Sequence, residues 1–100
     1  MRIQTQSVHF DADAKLLNFI SKKMKKLEKF HNRITSADVI LKLENPSAKV
    51  QEKVAEIILN VPGSTIVAKE KSKLFEESVD SAIESLKRQL LKYKSKTTIA

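Results

Sequence analysis

Cysteine is absent from the sequence, glycine occurs once and proline twice. Without cysteine the chain forms no disulfide, no thiolate metal site and no cysteine nucleophile, which fits a reducing cytoplasm. The scarcity of glycine and proline favours long regular elements joined by few tight turns. A single glycine also excludes a glycine-rich phosphate-binding loop. These absences argue against several classes of enzyme and against a disulfide-stabilised secreted domain.

Long apolar stretches are missing as well. No run approaches the roughly 18–20 apolar residues that a membrane-spanning helix needs, and the first ten residues, MRIQTQSVHF, lack the apolar core of a signal peptide. The chain of 100 residues is 41% hydrophobic and 31% charged, which is ordinary for a globular protein. We therefore expect one cytoplasmic domain, residues 1–100, without a membrane partner and with residues 95–100 as a flexible tail.

Acidic residues are nearly absent from two segments, although the whole chain has a net charge of only +7. Residues 15–33 carry seven positive charges against one negative, and residues 87–100 carry five against none. The remaining segments, 1–14 and 34–86, are slightly acidic, at −1 and −3. Positive charge confined to two blocks favours a polyanionic partner such as nucleic acid.

Hydrophobic periodicity predicts six elements in the order β-α-β-β-β-α. Apolar and polar side chains alternate in four segments, as in half-buried strands. These segments are residues 2–6, 34–44, 50–61 and 65–70. Two other segments, residues 11–30 and the stretch after Ser72, have apolar residues every three or four positions and are predicted helices.

Each predicted helix has an apolar stripe and a charged opposite side. The first stripe consists of Leu16, Leu17, Ile20, Met24 and Leu27, with Phe30 at its edge. The second consists of Phe75, Val79, Ala82, Ile83, Leu86, Leu90 and Tyr93. Lys23 lies beside the first stripe, where its stem can pack on apolar surface. We expect Asp11 or Asp13 to cap the first helix and Ser72 the second.

The fold follows from how these elements connect. A helix between the first two strands makes them parallel, with a right-handed crossover, and short loops make the later pairs antiparallel. Both helices must bury their stripes, and the sheet offers one consistently apolar face. The expected fold is α+β, a four-stranded mixed sheet with two helices packed on one face. The two basic blocks would then be neighbours on the outer helical surface.

This helical surface is the candidate binding site. Nucleic-acid backbones are bound by several cations at roughly phosphate spacing, because each contact releases condensed counterions. Sixteen lysines and three arginines favour recognition of backbone and shape over base-specific contacts. The candidate residues are Lys15, Lys22, Lys25, Lys26, Lys29 and Arg33 in the first block, and Lys87, Arg88, Lys92, Lys94 and Lys96 in the second.

Other patterns have structural explanations that we favour. Tyr93 belongs to the apolar stripe, so packing is preferred over stacking on an unpaired base. The segment His9–Asp13 alternates His and Asp like a metal site, but helix capping accounts for the acids. We expect no enzyme activity, metal or other cofactor. The outer sheet face is either an ordinary exterior or a protein-partner surface. Its apolar residues are Ile40, Val54, Ile58 and Val67.

Three stretches carry a family resemblance: KKMKKLEK in the first helix, the turn NVPGSTIVAKEKS and the ending AIESLKRQLLKYKSK. With them, essentially the whole chain resembles the ribosome hibernation promoting factors, also called ribosome-associated inhibitors. The ending is the most specific part. Its family-like residues are Ala82, Ile83, Leu86, Gln89, Leu90, Lys92, Tyr93 and Lys94.

The resemblance implies a domain similar to double-stranded-RNA-binding domains, lodged in the small ribosomal subunit where messenger and transfer RNA would lie. It implies a reversible inhibitor that keeps ribosomes idle under starvation, in stationary phase, and that is monomeric off the ribosome with no small-molecule substrate. The rRNA contacts carried over are Lys22, Lys25, Lys26, Lys29, Lys87, Arg88, Lys92, Lys94 and Lys96, to which the charge pattern adds Arg33.

Two features depart from the family pattern. Phe75 stands where the family often has a tyrosine, which removes a hydroxyl at that position. The chain also ends at residue 100 without the extra carboxy-terminal domain of long forms, so we expect a short form. A general double-stranded-RNA-binding protein, not specific to ribosomes, is the alternative function.

Overall fold

The structure is a computed structural model that describes residues 1–31, 33–44 and 52–98, with side chains described as far as residue 95. The element order is the predicted one. The strands are β1 (Arg2–Val8), β2 (Ser36–Glu44), β3 (Glu52–Val61) and β4 (Ser64–Ser72), and the helices are α1 (Ala14–Phe30) and α2 (Phe75–Thr98). Helix α2 thus includes residues 95–98, which belong to the tail expected from the sequence. The predicted loop 45–49 and the first two residues of the predicted third strand lie outside the described residues.

The four strands form one sheet in the order β1-β2-β3-β4. Strands β1 and β2 are parallel, with Ile3 opposite Ala37, and α1 is the crossover that a parallel pair requires. The β2–β3 and β3–β4 pairs are antiparallel. The predicted mixed sheet is confirmed.

The turn between β3 and β4 consists of Pro62 and Gly63, flanked by the paired residues Val61 and Ser64. Gly63 has a φ of +76°, which lies in the left-handed region that the third position of a type II turn requires. Proline fits the position before it because its ring fixes φ near −65°. The only glycine of the chain is therefore used where a side chain would be strained.

The core lies between one face of the sheet and the two helices. The alternation predicted for β2 and β3 is confirmed, and the residues of both helix stripes are buried or half-buried with one exception. The fully buried or nearly buried residues on the strands are Ala37, Val39, Leu41, Ala55, Ile57, Leu59, Val61, Ile66 and Ala68. On the helices they are Leu16, Ile20, Met24, Leu27, Phe75, Val79, Ala82, Ile83, Leu86 and Leu90.

Leu17 is the exception, and its predicted place in the stripe is wrong. Its side chain is 40% exposed. At about 100° per residue, Leu17 projects roughly 140° away from Phe30, and Phe30 is on the side of α1 that contacts α2. The second helix therefore covers one flank of α1 and leaves the Leu17 flank in solvent. The cap of α1 is Asp13 rather than Asp11, because its Oδ1 accepts a hydrogen bond from the Leu16 N–H at 2.8 Å.

Ser72 does not cap α2, so this prediction is also wrong. The β3–β4 ladder continues as far as Ser72, which pairs with Lys53. The helix begins only at Phe75, and the Leu74 carbonyl accepts its first hydrogen bond from the Ser78 N–H at 3.1 Å. The longer strand thus keeps Ser72 away from the cap position, and its hydroxyl instead donates to the Glu77 carboxylate.

The outer sheet face has less exposed apolar surface than its sequence suggests. Val54 points away from the helices but is only 2% exposed, which removes it from a candidate partner surface. Its cross-strand neighbours are Lys42 and Lys71, and alkyl stems of this length cover an adjacent valine. Of the other predicted residues on this face, Val67 is exposed whereas Ile40 and Ile58 are half-buried.

Adjacent leucines on α2 give a direct test of this packing. Leu90 is fully buried and Leu91 is 58% exposed. Leu90→Ala should lower the free energy of unfolding by about 2–5 kcal/mol, because it removes buried methyl groups and leaves a cavity. Leu91→Ala should change it by no more than about 0.5 kcal/mol. Urea unfolding followed by circular dichroism measures both, and equal losses would contradict the orientation of α2.

Candidate nucleic-acid interface

The two helices lie side by side and run in the same direction. Near the middle of α1, Lys23 Nζ forms an ion pair with Asp80 Oδ1 in the first half of α2 at 3.0 Å. At the end of α1, Lys87 Nζ of α2 lies 5.8 Å from the centroid of the Phe30 ring. The later residue of α1 thus contacts the later residue of α2, and the two contacts are seven residues apart on each helix, so the helices are parallel.

Parallel packing separates the charges along the molecule. Apart from Glu28, whose carboxylate pairs with the Met1 amino terminus at 2.6 Å, the acidic residues in and just before the two helices lie toward the amino-terminal end. They are Asp11, Asp13, Glu76, Glu77, Asp80 and Glu84. The lysine-rich second halves lie together at the other end. This order also suits the helix dipoles, which favour anions at the start of a helix and cations at its end, so the same arrangement contributes to stability.

The candidate cations of α1 are exposed on its solvent side. They are Lys22, Lys25, Lys26 and Lys29, with Lys15 nearer the start of the helix. Lys23 differs from them, as predicted from its place beside the stripe. Its ammonium group is paired with Asp80 and lies 5.4 Å from the centroid of the Phe19 ring. Lys23 therefore serves helix packing, and the other lysines form the outer surface.

The second block and the turn after α1 contribute the remaining cations. Arg33, Arg88, Lys92 and Lys94 are exposed. Lys87 is half-buried, with its ammonium group over Phe30 and 3.6 Å from Glu84 Oε1. Lys96 lies within the backbone range of α2, and its side chain is outside the described residues.

The two blocks meet at His31, the residue that follows α1. The His31 ring packs edge-on against Tyr93 with 5.7 Å between centroids. Burial lowers the pKa of His31 below its usual value of 6.5, and the positive charges of Lys94 and Arg33 lower it further. Cations from both blocks thus act on one imidazole. We call the joined set the cationic helical surface, consisting of Lys22, Lys25, Lys26, Lys29, Arg33, Lys87, Arg88, Lys92 and Lys94.

Two hydrogen bonds hold the basic half of α2 on the β3–β4 hairpin. The Tyr93 hydroxyl donates to the Pro62 carbonyl at 2.6 Å, and Gln89 Nε2 donates to the Val67 carbonyl at 3.0 Å. The Tyr93 ring also packs against the core, so the predicted packing role is confirmed. These bonds fix the part of α2 that carries Arg88, Lys92 and Lys94 relative to the sheet.

His31 and Gln89 are the structural residues that sequence reasoning missed at this surface. His31 lies four positions after Leu27 and so continues the buried stripe of α1. A histidine two residues before Arg33, at the end of a lysine-rich helix, is nevertheless typical of a solvated helix end. It is only 9% exposed, and its Nε2 atom has no hydrogen-bond partner among the described residues. Gln89 belongs to the family motif, but its hydrogen bond to the Val67 carbonyl depends on how α2 packs on β4.

Other kinds of site find little support in the described residues. No three His, Asp or Glu side chains in the ranges 1–31, 33–44 and 52–98 are grouped as metal ligands would be. Within the His9–Asp13 segment, Asp13 is engaged as the helix cap. Neither helix, over its described length, is long and apolar enough to cross a membrane.

Comparison with known proteins now identifies the family. Residues 3–98 match the family described as "Sigma 54 modulation protein / S30EA ribosomal protein". The chain belongs to this family. A relative from Pseudomonas putida, named ribosome hibernation promoting factor, is 30% identical over 96 residues, which is 96% of this chain and 89% of that protein. The resemblance to hibernation factors in the sequence is thereby confirmed.

Two solved structures have a similar fold. A ribosomal subunit interface protein from Coxiella burnetii superposes with a TM-score of 0.85 at 27% identity, covering 95% of this chain and 99% of that one. The amino-terminal domain of Protein Y from Thermus thermophilus superposes with a TM-score of 0.78 at 20% identity, covering 93% and 99%. Both likenesses confirm the predicted fold.

The environment of His31 predicts how stability depends on pH. Because the folded state lowers the pKa of His31, the unfolded chain binds more protons once the pH falls below about 6.5. The melting temperature should therefore fall between pH 7.5 and pH 5.5, above the range in which exposed carboxylates titrate. His31→Gln should flatten this part of the profile.

The other histidine supplies the control. His9 is exposed and has a φ of +71°, a conformation that asparagine tolerates. His9→Asn should therefore retain the loss of stability toward pH 5.5. A His31→Gln variant with the same slope as the wild-type protein would show that His31 does not cause it.

Proposed function

We propose that this protein binds the rRNA of the small ribosomal subunit through the cationic helical surface and reversibly inhibits translation. The observation that carries the proposal is the contact between the two basic blocks, through Phe30 with Lys87 and through His31 with Tyr93. Family membership supports the ribosome as the target. The names of the relatives, hibernation promoting factor and subunit interface protein, support an effect on idle ribosomes.

The chemistry of the surface suits binding to a folded RNA backbone. The side chains of eight of its nine cations are exposed, and that of Lys87 is half-buried. Lysine ammonium groups act as point charges on flexible stems, so they adapt to phosphates without demanding one base sequence. Each phosphate contacted releases counterions, which makes the affinity large at low salt and sensitive to added salt.

The inhibition we propose is steric. The bound protein occupies the channel that messenger and transfer RNA use, and translation resumes when the protein leaves. No bond is made or broken, and no cofactor or small-molecule substrate takes part. We place the activity in the cytoplasm during starvation or stationary phase, with the protein monomeric when off the ribosome.

Salt dependence tests the electrostatic part of the proposal. The logarithm of the association constant for purified small subunits should fall linearly with the logarithm of the salt concentration. A slope of about −0.7 to −0.9 for each phosphate contacted is expected from simple nucleic-acid polymers. Filter binding between 50 and 300 mM potassium chloride measures it. An affinity that is independent of salt would contradict an interface built from lysines.

Charge reversal tests where the interface lies. A variant with Lys26, Lys29, Lys92 and Lys94 all changed to Glu should lose binding to small subunits, because both blocks of the surface are inverted. The matched control reverses four lysines of β2, β4 and the segment before α2, namely Lys42, Lys69, Lys71 and Lys73. Both variants have the same net charge and differ in where the charges are reversed. The control also breaks the ion pair of Lys71 with Glu52, at 3.3 Å.

The control variant should retain most of its affinity for small subunits. A modest loss is expected because its lower net charge weakens the long-range attraction to RNA. Circular dichroism and melting curves establish that both variants fold. If the control loses binding as completely as the helical variant, net charge rather than the cationic helical surface is responsible.

Competition separates a ribosome-specific factor from a general double-stranded-RNA-binding protein. A general binder recognises the shape and phosphates of any A-form duplex, so a plain RNA duplex should displace it from small subunits at comparable concentration. For the function proposed here, the duplex should compete only at a large excess. Efficient displacement by the duplex would favour the alternative.

A further inference from the structure

The structure describes all five phenylalanine and tyrosine residues, and among them only Phe30 is exposed. Its side chain is 45% exposed at the last position of α1. Phe75 is buried, and Phe10, Phe19 and Tyr93 are half-buried. An aromatic ring is thus presented to solvent at the point where the two basic blocks meet.

The geometry of the helix end explains this exposure. The buried stripe runs through Met24 and Leu27 and continues to His31, which is buried against Tyr93 of α2. Phe30 is one residue earlier, so about 100° of rotation turns it out of the stripe. The ring lies at the groove between the helices, and Lys87 of α2 contacts it there.

Single exposed apolar side chains are ordinary on protein surfaces, so exposure alone means little. The surroundings of Phe30 are what distinguish it. Lys26 lies one helical turn before it on the same side of α1, Lys29 is its neighbour in sequence, and Lys87 Nζ is 5.8 Å from its ring centroid. The exposed side chains of Leu17, Val67 and Leu74 lie on elements or helix ends outside this group of cations. Leu91 is also exposed among the cations of α2, but its branched aliphatic side chain has no flat face on which a base could stack.

The other aromatic residue of this end is engaged. Tyr93 has its hydroxyl bonded to the Pro62 carbonyl and its ring against His31. A flat apolar ring surrounded by ammonium groups complements a nucleotide that offers a base face and a phosphate together. A protein partner would match the ring but not the excess of positive charge around it.

We propose that Phe30 stacks on an unpaired base of the RNA that the cationic helical surface binds, with Lys29 and Lys87 against the flanking phosphates. This inference rests on the proposed function, and it adds a preference for RNA with unpaired nucleotides. A base inside a continuous duplex has both faces covered by its neighbours and offers no face to the ring.

The test compares two RNA probes of equal length, one a stem-loop with an unpaired loop and the other a fully paired duplex. Phe30→Ala should weaken binding to the stem-loop about 5- to 150-fold, the range expected for loss of one stacked base. Its binding to the duplex should stay within about twofold of wild type. Leu74→Ala, which truncates an exposed side chain near the start of α2, is the control and should leave both affinities unchanged.

A second variant gives a direct signal from the ring. The chain has no tryptophan, so Phe30→Trp places a single indole at the site and preserves an aromatic face. Its fluorescence should be quenched on titration with the stem-loop, and much less with the duplex. Phe30→Trp should bind the stem-loop at least as tightly as wild type.

Three results would overturn the inference: unchanged stem-loop binding by Phe30→Ala, an equal loss on both probes, or no quenching preference in Phe30→Trp. An equal loss would mean that the ring acts only by supporting Lys87. In each of these cases wild-type binding to small subunits would remain, so the proposed function would stand. If wild-type protein fails to bind small subunits, the proposed function fails independently of Phe30.

Discussion

The parallel packing of α1 and α2 on one face of the sheet is the constraint on which the rest of this structure depends. It follows from the order of elements. Strands β1, β2 and β4 run one way and β3 runs the other, and each helix returns along the sheet after β1 or β4. Both helices therefore point in the same direction, and two segments far apart in sequence place their basic ends together.

The lengths of the helices refine this arrangement. Helix α1 has 17 residues and α2 has 24, so their lengths are about 26 Å and 36 Å. Because Lys87 meets the last residue of α1, the remainder of α2 extends past α1. That remainder is held by the burial of Leu90 and by the hairpin, whose carbonyl groups accept hydrogen bonds from Tyr93 and Gln89. The tight Pro62–Gly63 turn is thus part of what orients the basic end of α2.

Most of the fold could be predicted from sequence because its determinants are local. Alternation along β2 and β3, helical periodicity and one Pro-Gly turn specify the elements, and chain connectivity then allows few topologies. The errors arose where tertiary packing decides. Leu17 has the right spacing for the stripe, but only the position of α2 determines which flank of α1 is covered. Ser72 has a side chain suited to a helix cap, but it pairs with Lys53 in the β3–β4 ladder and so lies before the cap position.

The candidate surface could be predicted in outline for the same reason, since cations on the side opposite a buried stripe must face solvent. Its junction could not. From residue type alone, Phe30 would be expected in the interior and His31 in solvent, but the structure shows the opposite. The helix ends between the two residues, and the packing of α2 buries the histidine. The role of Lys23 depended on Asp80, which is 57 positions away in the sequence and becomes its partner only in the folded chain.

The separation of acidic and basic ends along the paired helices has a kinetic consequence. A molecule with opposite charge at its two ends has an electric dipole moment in addition to its net charge, and the field of a polyanion exerts a torque on it. During approach to RNA, the protein would rotate until its lysine-rich end leads. In the proposed binding to RNA, fewer encounters would then have an unproductive orientation, so the arrangement would increase the association rate constant as well as the stability of the complex.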